Sequence, residues 1–189
     1  MSRADLTKAR ILQAATAEFA ARGIAGARVD RIAAAAQANK NLIYVYFSSK
    51  EQLFDAVFDA HVAQGLQQVP FTPEDLPGYA ARLFDYYREH PDVLRLATWH
   101  RLERGDNGDH DPAIATPAHD AKIDALAAKQ RSNSAGTPFA PATLLTLVLA
   151  IAAAWSPIST AAIPHGAITD QDPDESRNAV IQAVRRLLQ

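Results

Sequence analysis

The chain contains no cysteine, one methionine and only eight glycines in 189 residues. Without cysteine, neither a disulfide framework nor a thiolate metal site can form, and a reducing compartment, the cytoplasm, is expected. The few glycines build no phosphate-cradling loop, there is no Gly-x-Ser-x-Gly elbow, and a cysteine nucleophile is ruled out, so no enzymatic activity is expected. The six histidines, His61, His90, His100, His110, His119 and His165, are scattered without i, i+4 partners among carboxylates. No metal and no cofactor is therefore expected. Asp106-Asn107-Gly108-Asp109-His110-Asp111 is rich in oxygen ligands but lacks the order of a calcium loop and its distal Glu, and is expected to be a solvated loop.

Charge is missing from Thr137 to Pro164, a stretch long enough to suggest a membrane span. Thr143, Thr146, Ser156, Ser159 and Thr160 dilute it, Pro157 breaks it, and no Lys or Arg anchors flank it, so a buried helix and no membrane association is the expectation. The N-terminal residues Arg3, Asp5, Lys8 and Arg10 fall on a helical pattern and do not resemble a secretory signal.

Charge that is present is segregated. Residues 1–50 hold eight Lys or Arg against three Asp or Glu, a balance of +5, whereas the remainder holds eleven against eighteen, a balance of −7. A small basic head suited to phosphates and a larger acidic body follow from this division. The boundary is placed between residues 50 and 51, giving a head of 1–50 and a body of 51–189.

Helical periodicity dominates, and no alternating run bounded by hairpin turns is found, so the fold class is all-α with about nine helices. Ile11, Ala15 and Phe19 mark the first helix, stopped by Gly23; Val29, Ile32, Ala33 and Ala36 mark a short second one. After Gln37-Ala38, Asn39 caps a third with Ile43 and Phe47 turned inward, and a Ser48–Glu51 capping box opens a fourth carrying Leu53, Phe54 and Val57. Val69-Pro70-Phe71-Thr72-Pro73 is the clearest internal break. Beyond it, Leu76, Ala80, Leu83, Phe84 and Tyr87 trace a fifth helix, ended or kinked by Pro91, and a sixth over about 92–104 is expected to be covered on most sides. A weaker helix through Ile123 and Leu126 precedes two last ones over about 142–155 and 174–188.

Two short helices separated by a tight break have the helix-turn-helix layout. With Ile43 and Phe47 inward, Lys40, Asn41, Leu42, Tyr44, Val45 and Tyr46 occupy the outward face and flanks. Lys40 and Asn41 can reach base edges, Leu42 and Val45 can meet thymine methyls, and the Tyr44 and Tyr46 hydroxyls can meet phosphates. Lys50, beside the N-terminus of the fourth helix, is a further phosphate anchor.

The run Ile11-Leu12-x-Ala14-Ala15-x-x-x-Phe19-Ala20-x-x-Gly23, then Val29-x-x-Ile32-Ala33, then Ile43-Tyr44-x-Tyr46-Phe47-x-Ser49-Lys50-Glu51-x-Leu53 resembles the tetracycline-repressor (TetR) family of regulators. The likeness covers about residues 8–58. It implies a three-helix DNA-binding head, a helical ligand-binding body, dimerisation through the last two helices and a palindromic operator on double-stranded DNA. Gln37 stands where the family commonly has Gly, so the turn must form without the freest residue. Ala27 and Arg28 replace a frequent capping Thr or Ser, which lets Arg28 supply a phosphate contact. Asn41 and Leu42 also depart from the pattern, which affects the operator sequence more than the activity.

The expected function is sequence-specific transcriptional regulation, a repressor released from its operator by a small-molecule effector. A DNA-bound scaffold of the same fold governed by a protein partner is the alternative. The expected ligand pocket draws on Phe84, Tyr87, Leu94, Thr98, Trp99 and Trp155, side chains that a packed core would also use. With few acidic residues on the inner stripes, a neutral or weakly polar and aromatic compound fits best. The homodimer interface is expected at Leu145, Leu149, Val180, Val184 and Leu187.

Overall fold

The computed structural model describes residues 2–104, 115–132, 137–159 and 172–189. Among the described residues there are nine helices and no strand: α1 Arg3–Gly26, α2 Val29–Ala35, α3 Lys40–Phe47, α4 Lys50–Gln68, α5 Leu76–Glu89, α6 Pro91–Arg104, α7 Ala115–Ser132, α8 Pro141–Ala153 and α9 Pro173–Leu187. The oxygen-rich loop at 106–111 lies outside the described residues. No helix of the described chain is long and apolar enough to cross a membrane; α8 accounts for only part of the uncharged stretch.

Two compact units form, residues 1–64 with 92–114 and residues 65–91 with 115–189. The first is larger than a head ending at residue 50. Leu53, Phe54 and Val57 of α4 and Leu96 of α6 lie in the same core as Ile11, Phe19, Ile32, Ile43 and Phe47. Phe54 meets Phe19 edge-on at 5.2 Å. A three-helix head of this size buries too little apolar surface alone, and α4 and α6 supply the missing cover.

Gly23 interrupts α1 in the left-handed position expected of it. At φ 68° and ψ −176° it breaks the helix, and one further turn follows through Gly26. A β-carbon at Gly23 would lie 2.4 Å from Glu103 Oε1 and 2.8 Å from the Trp99 ring. Both the backbone angle and the close approach of α6 require glycine here.

The break after α2 is a Schellman turn, with Ala38 N–H donating to Ala33 O at 3.0 Å and Gln37 N–H to Ala34 O at 3.1 Å. Gln37 takes the left-handed position at φ 49°. The turn therefore forms without glycine, at some cost in backbone strain. Asn39 then caps α3, its side chain accepting from Asn41 N–H at 2.9 Å. The cap of α4 is one residue later than the sequence suggests. Ser48 ends α3 at φ 61°, and Ser49 Oγ accepts from Gln52 N–H at 3.1 Å.

Pro91 begins α6 instead of kinking α5, using the first helical position where its missing N–H is not needed. The expectation that α6 is covered on most sides is not met: Leu96 and His100 are its buried residues, and Leu102 is 68% exposed.

In the second unit α5 packs on α8 and α9. Val180 and Val184 of α9 and Leu144, Leu145 and Val148 of α8 are buried with Tyr79, Leu83 and Phe84 of α5. This alters the reading of Leu145, Val180 and Val184. Each is fully buried within one protomer, so these side chains are spent on the internal core and cannot face a partner. Leu149 and Leu187 are half-buried, and the exposed positions of α8 are Ala142, Thr143, Thr146 and Ala150.

Gly23→Ala should destabilise the protein by about 1–3 kcal/mol, the usual cost of a side chain in a glycine-only backbone region, before any clash with α6 is added. Urea denaturation checks this. An unchanged midpoint would mean that the break in α1 is not held as described.

Candidate nucleic-acid interface

Ile43 and Phe47 anchor α3 in the core, at 0% and 5% exposure, which fixes the opposite face outward. Asn41 is exposed, and Val45 is 74%, Tyr44 42% and Leu42 37% exposed, an unusual display of large apolar side chains for a solvated helix. Tyr46 is less free than the sequence suggests. It is half-buried against the core, its ring 6.3 Å from that of Phe47. Asn39 is committed to capping, which fixes the N-terminus of α3.

The cations on this surface have partners. Lys40 Nζ lies 2.7 Å from Asp30 Oδ1, and Arg28 Nη2 lies 3.8 Å from Asp30 Oδ2. The hydrogen bond from Lys40 holds the Asp30 carboxyl below its ordinary range and raises the Lys40 ammonium. Lys50 Nζ stands 3.4 Å from both Ala25 O and Ala27 O, so its ammonium sits over the α1–α2 link.

Residues that the sequence reading passed over hold this face in place. Glu18 of α1 accepts from Arg31 Nε at 2.7 Å, meets Arg31 Nη2 and accepts the backbone N–H of Arg28 at 3.0 Å, just ahead of α2. Arg31 Nη2 also donates to Gly26 O at 2.9 Å. On α6, Glu103 accepts from Ile24 N–H at 3.0 Å and Ala25 N–H at 2.8 Å, while Trp99 Nε1 donates to Ala20 O at 3.3 Å. The i, i+4 spacing of Trp99 and Glu103 is visible in the sequence. Its target, the broken helix at Gly23, is not.

Of the expected pocket residues, Phe84, Tyr87 and Trp155 come together and Leu94, Thr98 and Trp99 do not join them. The first three line a cavity of about 290 Å3 in the second unit, with Arg88, Pro91, Ala152, Ser156 and Pro157 completing the wall. Phe84 and Trp155 meet edge-on at 6.1 Å, and the Arg88 guanidinium lies 5.6 Å from the Phe84 ring centre. Burial pushes the Tyr87 hydroxyl up to about 12. Leu94 and Thr98 lie on α6 in the first unit, where the Thr98 hydroxyl donates to Leu94 O, and Trp99 covers Gly23. No group of three or more metal-binding side chains occurs among the described residues.

Comparison with known proteins finds matches for both parts of the chain. Residues 11–57 match the family model for bacterial regulatory proteins of the tetR family, and residues 75–186 match the tetracyclin repressor-like C-terminal domain. The chain is 37% identical over 187 residues to the HTH-type transcriptional repressor SCO4008 of Streptomyces coelicolor, covering 97% of this chain and 96% of that protein. It is 34% identical over 110 residues to the HTH-type transcriptional repressor NicS of Pseudomonas putida, covering 54% and 51%. Among solved structures, the transcriptional regulator SCO4942 of S. coelicolor aligns with a TM-score of 0.83 at 37% identity, covering 96% of this chain and 98% of that one. The fold is shared at 14% identity by FadR of Bacillus subtilis, solved with stearoyl-CoA, with a TM-score of 0.68 and coverage of 96% and 99%.

The Glu18 clamp gives the head a pH dependence of known sign. Hydrogen bonding from Arg31 holds the Glu18 carboxyl below its ordinary 4.5, so its contribution is complete above that value and is lost as pH falls through the folded value. Glu18→Gln should be less stable than the wild type at about pH 7, and the gap should narrow on acidification below about pH 4.5. Urea midpoints across that range test this, and parallel curves for the two proteins would exclude it.

Proposed function

The chain belongs to the TetR family of bacterial regulatory proteins, and from that premise we propose that it is a homodimeric transcriptional repressor released from its operator by a small molecule. The observation that carries the DNA-binding reading is the exposed face of α3, where Asn41, Leu42, Tyr44 and Val45 stand out from a helix pinned by Ile43 and Phe47. Such a helix places polar and apolar groups together against base edges, while Arg28 and Lys50 flank it with positive charge for the phosphates. A dimer is needed because two heads must reach half-sites about 34–36 Å apart. Its interface uses the outward faces of α8 and α9, with Ala142, Thr146 and Ala150 as small contact residues and Leu149 and Leu187 at the margin.

The cavity beside Phe84, Tyr87 and Trp155 is the effector site in this reading. Its volume of about 290 Å3 lies at the lower end of the roughly 300–1,000 Å3 common for ligand sites, so the effector is small. Its walls are mainly apolar with three aromatic side chains, and no carboxylate is among the described residues that line it. A compact, flat and largely apolar compound fits.

Selection of bound sites from a random duplex library, followed by footprinting, tests the DNA-binding reading. A two-fold symmetric site is expected; Asn41→Ala should relax preference at one or two base pairs, and Lys50→Ala should lower the salt slope by about one. Binding unchanged in both variants would refute the assignment. For the effector, Ser156→Phe should fill the cavity without touching the head. A compound at about a hundredfold its Kd should raise the wild-type melting temperature by roughly 5–10 °C and release DNA, and both effects should vanish in the variant. Release of DNA by a protein partner, with no compound giving a shift, would favour the scaffold alternative.

A further inference from the structure

Asp30 is an acidic side chain where affinity for a polyanion argues against one. It projects from the first turn of α2, and its carboxylate contacts the ammonium of Lys40, the first residue of α3. The side chains are 56% and 47% exposed, and an exposed ion pair of this kind adds little to folding stability. Toward the phosphates, a carboxylate reduces binding by repulsion. What it can return is discrimination between base pairs.

We infer that Asp30 and Lys40 act as one reading unit that specifies a G·C pair in each half-site, Lys40 donating to guanine and Asp30 accepting from cytosine. The inference rests on the proposed entry of α3 into the major groove. One ammonium hydrogen is directed to Asp30 at 2.7 Å, which leaves two for the guanine O6 and N7 acceptors. The carboxylate keeps unused lone pairs beside that ammonium, and the major-groove edge of a G·C pair sets the cytosine N4 amino group beside guanine O6 in the same way. An acceptor and a donor held one hydrogen bond apart thus match a donor and an acceptor held one hydrogen bond apart. An A·T pair presents the adenine N6 amino group and the thymine O4 in the opposite order relative to the purine, so it places donor against donor. Mutual hydrogen bonding keeps both groups charged, since it lowers the Asp30 carboxyl and raises the Lys40 ammonium from their ordinary values. Arg28, 66% exposed, lies 3.8 Å from the other carboxylate oxygen.

The test is site selection from a random duplex library with the full-length chain as wild type, Asp30→Asn, Asp30→Ala and Asn41→Ala, followed by titration of duplexes differing only at the selected pair. The wild type should select a G·C pair at one fixed position in each half-site. Asp30→Asn should move the preference toward A·T, because an amide reads adenine N6 and N7, and the G·C over A·T ratio should fall by about 5–150-fold. Asp30→Ala should weaken the preference at that pair, leaving the part that Lys40 alone confers, while binding random duplex more tightly. A wild-type site with no fixed G·C pair would overturn the inference. So would tighter binding of both Asp30 variants to all duplexes with an unaltered preference profile, which would make Asp30 a purely electrostatic group. If Asn41→Ala also left the profile unaltered, the entry of α3 itself would be wrong, which separates that failure from a failure of the Asp30 assignment.

Discussion

The surface proposed to meet DNA depends on how α1 breaks at Gly23. A break in a helix frees backbone groups, and buried ones need partners. Here two side chains one turn apart on α6 take them, Trp99 donating to the carbonyl of Ala20 and Glu103 accepting from Ile24 and Ala25. The link that follows is tied by Lys50 from α4, whose ammonium sits over Ala25 O and Ala27 O, and by Glu18 and Arg31, which join α1 to α2 and reach Gly26 O. The seat of α2, and through the Schellman turn that of α3, is therefore set by charged and aromatic side chains from α1, α2, α4 and α6. Apolar packing fills the head, and these polar ties give it one orientation.

This division explains what the sequence could disclose. Apolar spacing identifies the inward residues of each helix because burial follows the helical period, and Ile11, Phe19, Ile32, Ile43, Phe47 and Phe54 are all buried. The outward face of α3 followed by subtraction, and the family resemblance was carried by the same residues. Long-range polar ties have no period. Glu18 and Arg31 lie thirteen residues apart on different helices, Glu103 lies seventy-nine from Ile24, and neither pair leaves a local pattern. The same limit misplaced Trp99. As a large aromatic among apolar neighbours it suited a pocket wall, whereas a glycine contact decided its position.

The last two helices show the limit from the other side. In α8 nearly every position is apolar or small, so periodicity cannot rank its faces. Leu144, Leu145, Val148 and Ala152 are buried on the side of α8 that packs on α5 and α9, while Ala142, Thr143, Thr146 and Ala150 are exposed. In α9 the stripe is clear, but Val180 and Val184 at its centre are used up within the protomer. A dimer interface expected from hydrophobicity was thus assigned to residues already spent on the core. The exposed positions that remain are small on α8, Ala142, Thr143, Thr146 and Ala150, and mainly charged or polar on α9, among them Glu175, Gln182, Arg185 and Arg186.

The proposed release by an effector makes a further demand on α6. Its first residue, Pro91, is part of the cavity wall, and its last turn carries Glu103, which holds the break in α1. A fourteen-residue helix is about 21 Å long and transmits displacement along its axis with little compression. It is anchored in the first unit: Leu96 is buried, Trp99 packs on the same core, His100 stacks on Phe58 at 4.5 Å, and Arg104 pairs with Asp55 at 2.9 Å. Hydrogen bonds to a charged group are worth about 1.5–3 kcal/mol each. An effector that prefers the DNA-free state a hundredfold supplies about 2.7 kcal/mol against operator binding. The Glu103 clamp holds two such bonds, about 3–6 kcal/mol together, so in the proposed reading an effector of that preference offsets one of them and not the pair.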